Sequence, residues 1–154
     1  MSFSAVLKSP CGMLGIVSDE TTLLAIKFLE PDALPVPAKT NIAKETVKQL
    51  KAYFLDSNKV FDLPLPESAT IYQQRVRGGL QKIPRGQVLS YSALAKQIGS
   101  GARAVANACR HNPVPIVVPC HRIVAKAGIG GFSGATTGVL VENKRWLLNH
   151  EGAL

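Results

Sequence analysis

The chain has 154 residues, with 46% hydrophobic and 18% charged residues. That is enough apolar content to bury a core and too much for a disordered chain, while no apolar run reaches the ~18 residues of a membrane span. The formal net charge of +8 favours polyanionic partners, nucleic acid ahead of an acidic membrane surface. In chain order, Ser9-Pro10-Cys11-Gly12 is turn-like and Met13–Val17 reads as a strand. A polar turn at Ser18-Asp19-Glu20 and a return strand Leu23–Leu29 complete a hairpin. The segment 31–38 carries three prolines and reads as a connecting loop. Thr40 or Asn41 caps a helix to about Leu55, with Val47, Leu50 and Phe54 on its buried face. Val60–Leu63 suggests another strand before Pro64-Leu65-Pro66-Glu67-Ser68 breaks the pattern, and the boundary between two lobes is placed there.

Beyond that boundary the texture turns helical. Thr70 to Ile83 places Tyr72, Val76, Leu80 and Ile83 on one face. Ser90 caps a helix Tyr91–Ile98 that Gly99 stops, and Ser100 is the expected cap of a third helix, Ala102–Arg110. Two short helices around Gly99-Ser100-Gly101 suggest a helix-turn-helix. Pro115–Pro119 reads as an extended apolar segment leading into Cys120. A loop with glycines at 128, 130, 131, 134 and 138 precedes a last helix from about Val139 to His150, with Leu140, Trp146, Leu147 and Leu148 as its buried residues. The expected fold is α/β: residues 1–68 form a small antiparallel sheet plus helix, and residues 69–154 form a mainly helical lobe with the helix-turn-helix.

The cysteines stand at 11, 109 and 120 and the histidines at 111, 121 and 150. An odd cysteine count without a C-x-x-C pair argues against a disulfide framework, and the spacings fit no metal site. The first eight residues lack a signal-peptide pattern, so a cytoplasmic protein without a membrane partner is expected.

Cys120 is the chemical candidate. It lies between Pro119 and the pair His121-Arg122, whose positive potential would lower a thiol pKa and favour the nucleophilic thiolate. His121 could instead act as a base, directly or through a water, and a small buried cysteine beside a satisfied histidine is the plain structural alternative. On the third helix Ala102, Ala104, Ala106 and Ala108 make a slim surface that suits either a nucleic-acid groove or close helix packing. Arg103 and Arg110, seven apart, share a face.

The run Asn112-Pro113-Val114-Pro115-Ile116-Val117-Val118-Pro119-Cys120-His121-Arg122 resembles the signature of O6-alkylguanine-DNA alkyltransferases. So do Gly131-Phe132-Ser133-Gly134, Trp146-Leu147-Leu148-Asn149-His150-Glu151-Gly152, Tyr72-Gln73-Gln74-Arg75-Val76 and Gly86–Tyr91. The resemblance covers residues from about 69 to 152 well and the first 68 loosely. It implies direct-reversal DNA repair: stoichiometric, single-turnover transfer of an alkyl group from O6-alkylguanine to Cys120 after nucleotide flipping, with O4-alkylthymine as a second candidate substrate. It implies that His121 takes the Cys120 proton through a water, that Glu151 orients His121, and that Asn112 holds the turn before the site. Tyr91 would donate its hydroxyl to the guanine ring. The Ser133 N–H would bond the guanine oxygen, the Cys120 and Ile123 carbonyls its exocyclic amine, and Pro115 and Phe132 would line the pocket. Arg103 would fill the stack left by the flipped nucleotide, with Arg110, Ala102 and Ala104 against the minor groove. The implied partner is double-stranded DNA containing alkylated guanine, bound by a monomer, with no cofactor and no metal. Phe132 departs from the tyrosine of many relatives, and Cys109 reads as a packing residue.

Overall fold

The computed structural model describes residues 2–154. The α/β class is borne out, and the chain divides into two compact units, Met1–Pro66 and Glu67–Leu154.

The first unit is an antiparallel sheet in the order β1 (Ala5–Ser9), β2 (Gly12–Ser18), β3 (Leu23–Phe28) with one helix, α1 (Asn41–Leu55), packed against all three strands. The register pairs Val6 with Gly15 and Ile16 with Ile26. The proline loop closes the free edge of β1, because Val6 and Val36 exchange both backbone hydrogen bonds at 3.0 Å. Thr40 is the cap of α1, accepting the Ala43 N–H at 3.0 Å. The buried stripe of α1 differs from expectation: it is Ala43, Thr46, Leu50 and Tyr53, while Val47 and Phe54 sit at its half-buried margins. A threonine is tolerated there because its hydroxyl donates to the Ile42 carbonyl at 2.8 Å, so no buried polar atom is left over. Residues 60–63 are not a strand. The Gln49 side chain takes both backbone groups of Asp62, at 2.8 and 2.9 Å, in place of a sheet ladder.

In the second unit Thr70 caps α2 (Ile71–Gln81), and Ser90 caps α3 (Tyr91–Ile98) through the Ala93 N–H at 3.0 Å. Gly99 ends α3 at φ +70°, a left-handed conformation open to glycine at no steric cost. α4 (Ala102–Arg110) follows after Gly101, which is its uncapped start. The expected Ser100 cap is absent, because the Ser100 hydroxyl pairs with the Tyr72 hydroxyl at 2.8 Å. α5 runs Val139–His150 and buries Val141, Asn143, Lys144, Leu147 and Leu148. Leu140 and Trp146 are only half-buried, the indole stacking on the His150 ring at 4.7 Å. A two-residue parallel ladder, β4 (Leu89–Ser90) with β5 (Ile123–Val124), joins the start of α3 to the segment just after Cys120. No helix among the described residues is long and apolar enough to cross a membrane.

Candidate active site

The segment expected to be extended before Cys120 is a tight buried turn. Val118 N–H donates to the Val114 carbonyl at 3.0 Å, and Ile116 holds φ +75°, a region that β-branched residues rarely occupy. Asn112 clamps this turn with both ends of its amide: Oδ1 accepts the Val114 N–H at 3.1 Å and Nδ2 donates to the Val118 carbonyl at 3.0 Å. Cys120 N–H donates to that same carbonyl at 2.8 Å and opens a 3-10 turn, Cys120–Arg122. The thiol-bearing residue is thus fixed through its own backbone and is 5% exposed.

Burial decides the electrostatics. The Cys120 thiol is pushed up from its ordinary value by desolvation, and the Asn112 side chain, the Lys144 ammonium and its own backbone N–H pull it partly back. The expected lowering by His121 and Arg122 therefore does not occur. His121 is fully buried and its pKa is held below 6.5 by desolvation, despite the opposing pull of Glu151. The ring is a neutral base, not a cation. Its Nε2–H donates to Glu151 Oε2 at 2.9 Å, which leaves Nδ1 as the basic nitrogen. Nδ1 is buried and accepts no hydrogen bond among the described residues.

Arg122 instead secures Glu151. Its Nε meets Oε1 at 2.9 Å, one terminal nitrogen meets Oε2 at 3.0 Å, and the other donates to the Ile83 carbonyl at 2.7 Å. The bidentate geometry fixes the carboxylate plane that in turn orients His121. Glu151 follows the last turn of α5 and is 1% exposed, and its carbonyl accepts from Arg85 at 3.1 Å.

In front of Cys120 lies a cavity of about 290 Å³. Its walls are Tyr91 from α3, Ala106, Cys109 and Arg110 from α4, Ala125, and residues 130–136 of the glycine-rich loop. Phe132 and Ala135 exchange backbone hydrogen bonds at 2.8 and 3.0 Å around Ser133 (φ +51°) and Gly134 (φ +87°). Two consecutive positive φ angles make this a type I′ turn, and Ser133 at its tip lines the cavity. Burial pushes the Tyr91 pKa up to about 12, so its hydroxyl keeps its proton at neutral pH.

The structure brings Cys120, Tyr91, Arg110, Phe132 and Ser133 together around the cavity. Pro115 and Ile123 are buried but do not line it. Cys109, read from sequence as packing, is buried and lines it as well, its thiol pushed up to about 12 by burial. Arg103 and Ala104 are exposed on α4, and Ala102 is half-buried. Sequence reasoning missed the part Arg122 plays in holding Glu151, and it missed Lys144 altogether. Lys144 is 0% exposed, and its Nζ donates to the Ile123 carbonyl at 2.5 Å and the Gly131 carbonyl at 3.0 Å. A lysine on a buried stripe of α5 was the available signal. Among the described residues, no three His, Cys, Asp or Glu side chains cluster to hold a metal.

Comparison with known proteins agrees across both units. The family model for 6-O-methylguanine DNA methyltransferase, DNA binding domain, matches residues 71–153, and the one for its ribonuclease-like domain matches residues 3–66. The constitutive methylated-DNA–protein-cysteine methyltransferase of Bacillus subtilis is 33% identical over 98% of this chain and 96% of that protein. The crystal structure of Mycobacterium tuberculosis O6-methylguanine methyltransferase superposes with a TM-score of 0.79 at 34% identity, over 99% of this chain and 94% of that one. The structure of the Mycobacterium tuberculosis protein OGT in complex with DNA superposes at 0.76 and 34% identity, over 96% and 91% of the two chains.

Proposed function

The chain belongs to the 6-O-methylguanine DNA methyltransferase family, and from that premise we propose that Cys120 is the residue that accepts the alkyl group from O6-alkylguanine in duplex DNA. The activity is methyl transfer from damaged DNA to a cysteine of the protein, and DNA is its partner. The observation that carries the Cys120 assignment is the buried relay beside it: a neutral His121 whose Nε2–H is held by Glu151, itself held by Arg122. A thiol raised by burial needs a base, and this relay provides one.

The thiol proton passes through a water to His121 Nδ1. The thiolate attacks the alkyl carbon; the C–S bond forms as the C–O bond breaks, and the electron pair leaves with the guanine oxygen. Tyr91, protonated at neutral pH, donates its proton to the guanine ring, and His121 returns a proton to the site through solvent. The Ser133 N–H bonds the guanine oxygen, while the Cys120 carbonyl receives the exocyclic amine; the Ile123 carbonyl, expected to share it, lies off the cavity and accepts from Lys144 instead. The product is a thioether, from which no thiolate is readily regenerated, so one chain repairs one lesion. O4-alkylthymine carries a comparable O-alkyl group and is the second substrate.

A base stacked in a duplex cannot reach a buried thiol, so the nucleotide must be flipped, at a cost of a few kcal/mol. The exposed Arg103 fills the vacated stack, and the slim surface at Ala102 and Ala104, with Arg110 beside it, enters the minor groove. A monomer suffices, since every proposed group lies in one chain. Incubation with a duplex containing O6-methylguanine, followed by intact mass and peptide mapping, tests the reading. One methyl on Cys120, without turnover, is the expected result. Tight binding with an unchanged mass would sink it.

A further inference from the structure

Cys109 places at the cavity a nucleophile that methyl transfer does not use. It is 8% exposed and shares the cavity wall with Cys120. Both residues are tied to one clamp. The Asn112 backbone N–H donates to the Cys109 carbonyl at 3.2 Å, and the Asn112 Nδ2 donates to the Val118 carbonyl at 3.0 Å. That same Val118 carbonyl accepts the Cys120 N–H at 2.8 Å. The end of α4 and the start of the 3-10 turn are thus held to each other through Asn112. A negative charge on Cys120 is felt at the Cys109 thiol, raising it beyond what burial does. Cys11, also a free and buried thiol, does not line the cavity.

Resting on the reading of Cys120 as the activated nucleophile, we propose that Cys109 and Cys120 form a peroxide-sensitive dithiol, which closes into a disulfide when hydrogen peroxide enters the cavity in place of an alkylated base. A molecule of about the size of water takes up roughly 30 Å³, so the cavity of about 290 Å³ has room for it. The Cys120 thiolate attacks one peroxide oxygen. The S–O bond forms, the O–O bond breaks, and the departing hydroxide recovers as water the proton that His121 had removed. The Cys109 sulfur then attacks the Cys120 sulfur. The S–S bond forms as the S–O bond breaks, and hydroxide leaves with the Cys109 thiol proton as a second water. The sulfur pair is oxidised by two electrons and the peroxide is reduced by two. The roles are not interchangeable, since the His121 base serves Cys120 while Cys109, pushed up to about 12, keeps its proton until the second step. A sulfenic acid on Cys120 with no thiol to meet it advances to sulfinic acid, which is not reversed. A disulfide instead returns both thiols on exchange with a small dithiol. Because each chain repairs one lesion, an acceptor lost to oxidation is a repair lost.

The test treats the reduced chain with hydrogen peroxide, blocks the remaining thiols with iodoacetamide in denaturant, and reads intact mass and a peptide map. Of the three thiols, Cys11 alone should stay open to the label, with the peptides carrying Cys109 and Cys120 joined. Single-turnover methyl transfer from a duplex containing O6-methylguanine should fall in step and return in full after dithiothreitol. Cys109→Ser, scored against its own untreated rate, should lose transfer to peroxide and not regain it, with its Cys120 found as sulfinic acid. In the wild type, three labelled thiols after treatment, or a sulfinic Cys120 beside a labelled Cys109, would overturn the proposal. A disulfide that joins two chains or involves Cys11 overturns it equally. Should the variant fail to fold, these wild-type readouts decide alone. Absence of a methyl group on Cys120 in the untreated chain would refute the acceptor assignment itself, an outcome visible by mass and separate from the disulfide.

Discussion

The two units of this molecule bury different things. The buried polar or charged residues described are Thr46 in the first unit and His121, Asn143, Lys144 and Glu151 in the second. Thr46 settles its hydroxyl within its own helix, whereas His121, Lys144 and Glu151 are joined across separate segments of their unit. Each unit also buries thiols. Cys11 is pushed up to about 12 by burial alone, while Cys120 has a base, an amide and an ammonium beside it. A core built only for stability avoids buried charge, because desolvation commonly exceeds the Coulombic return. Concentrating such groups in one unit marks where the chemistry is, and the other unit serves as a reference for what burial does without it.

Variants can break that contrast. The largest effect is expected from Cys120→Ser, which should abolish methyl transfer, read by intact mass, yet leave DNA affinity in a mobility-shift titration unchanged. Loss of binding in parallel would mean that chemistry and recognition are not separable here. Next is Glu151→Ala, which strands the half-buried Arg122 guanidinium and frees the buried His121. It should cost about 3–5 kcal/mol in urea denaturation, against about 1 kcal/mol or less for Thr46→Val, which removes one local hydrogen bond. Equal costs would erase the distinction between the two cores.

Arg103→Ala should slow transfer from a duplex about tenfold, since it removes the side chain that compensates unstacking, and leave transfer from the free base O6-methylguanine unaltered. The smallest effect concerns pH. Burial holds the His121 pKa below 6.5 in the folded chain, and unfolding returns it to about that value. Below pH 6.5 the unfolded chain therefore binds more protons, so stability should decline as pH falls through that window until His121 itself protonates. Glu151→Gln, which removes the carboxylate that favours His121 protonation, should extend this decline to lower pH. A flat denaturation midpoint between pH 6.5 and 5 would argue that His121 is charged in the fold.

Much of the architecture is legible in the sequence. Thr40, Ser90 and Gly99 mark helix ends by side-chain or backbone chemistry confined to a few neighbouring residues, and the helices begin and end at them. Ser100 carries the same local signal and misleads, because the Tyr72 hydroxyl, 28 residues away, takes its hydroxyl. Residues 60–63 fail as a strand for the same kind of reason, their hydrogen bonds going to Gln49 on α1. Motifs single out Cys120, His121 and Glu151, yet the thiol is raised by burial where its cationic neighbours in sequence suggest a lowering. Adjacent cations in sequence do not reveal that the site is buried.

The sequence by itself determined the α/β class, the order of helices, the signature around Cys120 and a basic chain suited to DNA. These rest on short-range preferences and on residue identity, which one dimension records. Only the tertiary structure decided that His121 is a neutral base, that Arg122 serves Glu151, that Cys109 faces the cavity, and that Lys144 lies buried against the Ile123 and Gly131 carbonyls. Each of these depends on how much water a side chain has lost and on which distant carbonyl or carboxylate replaces it. Desolvation and long-range pairing are properties of the packed chain, and no local pattern encodes them.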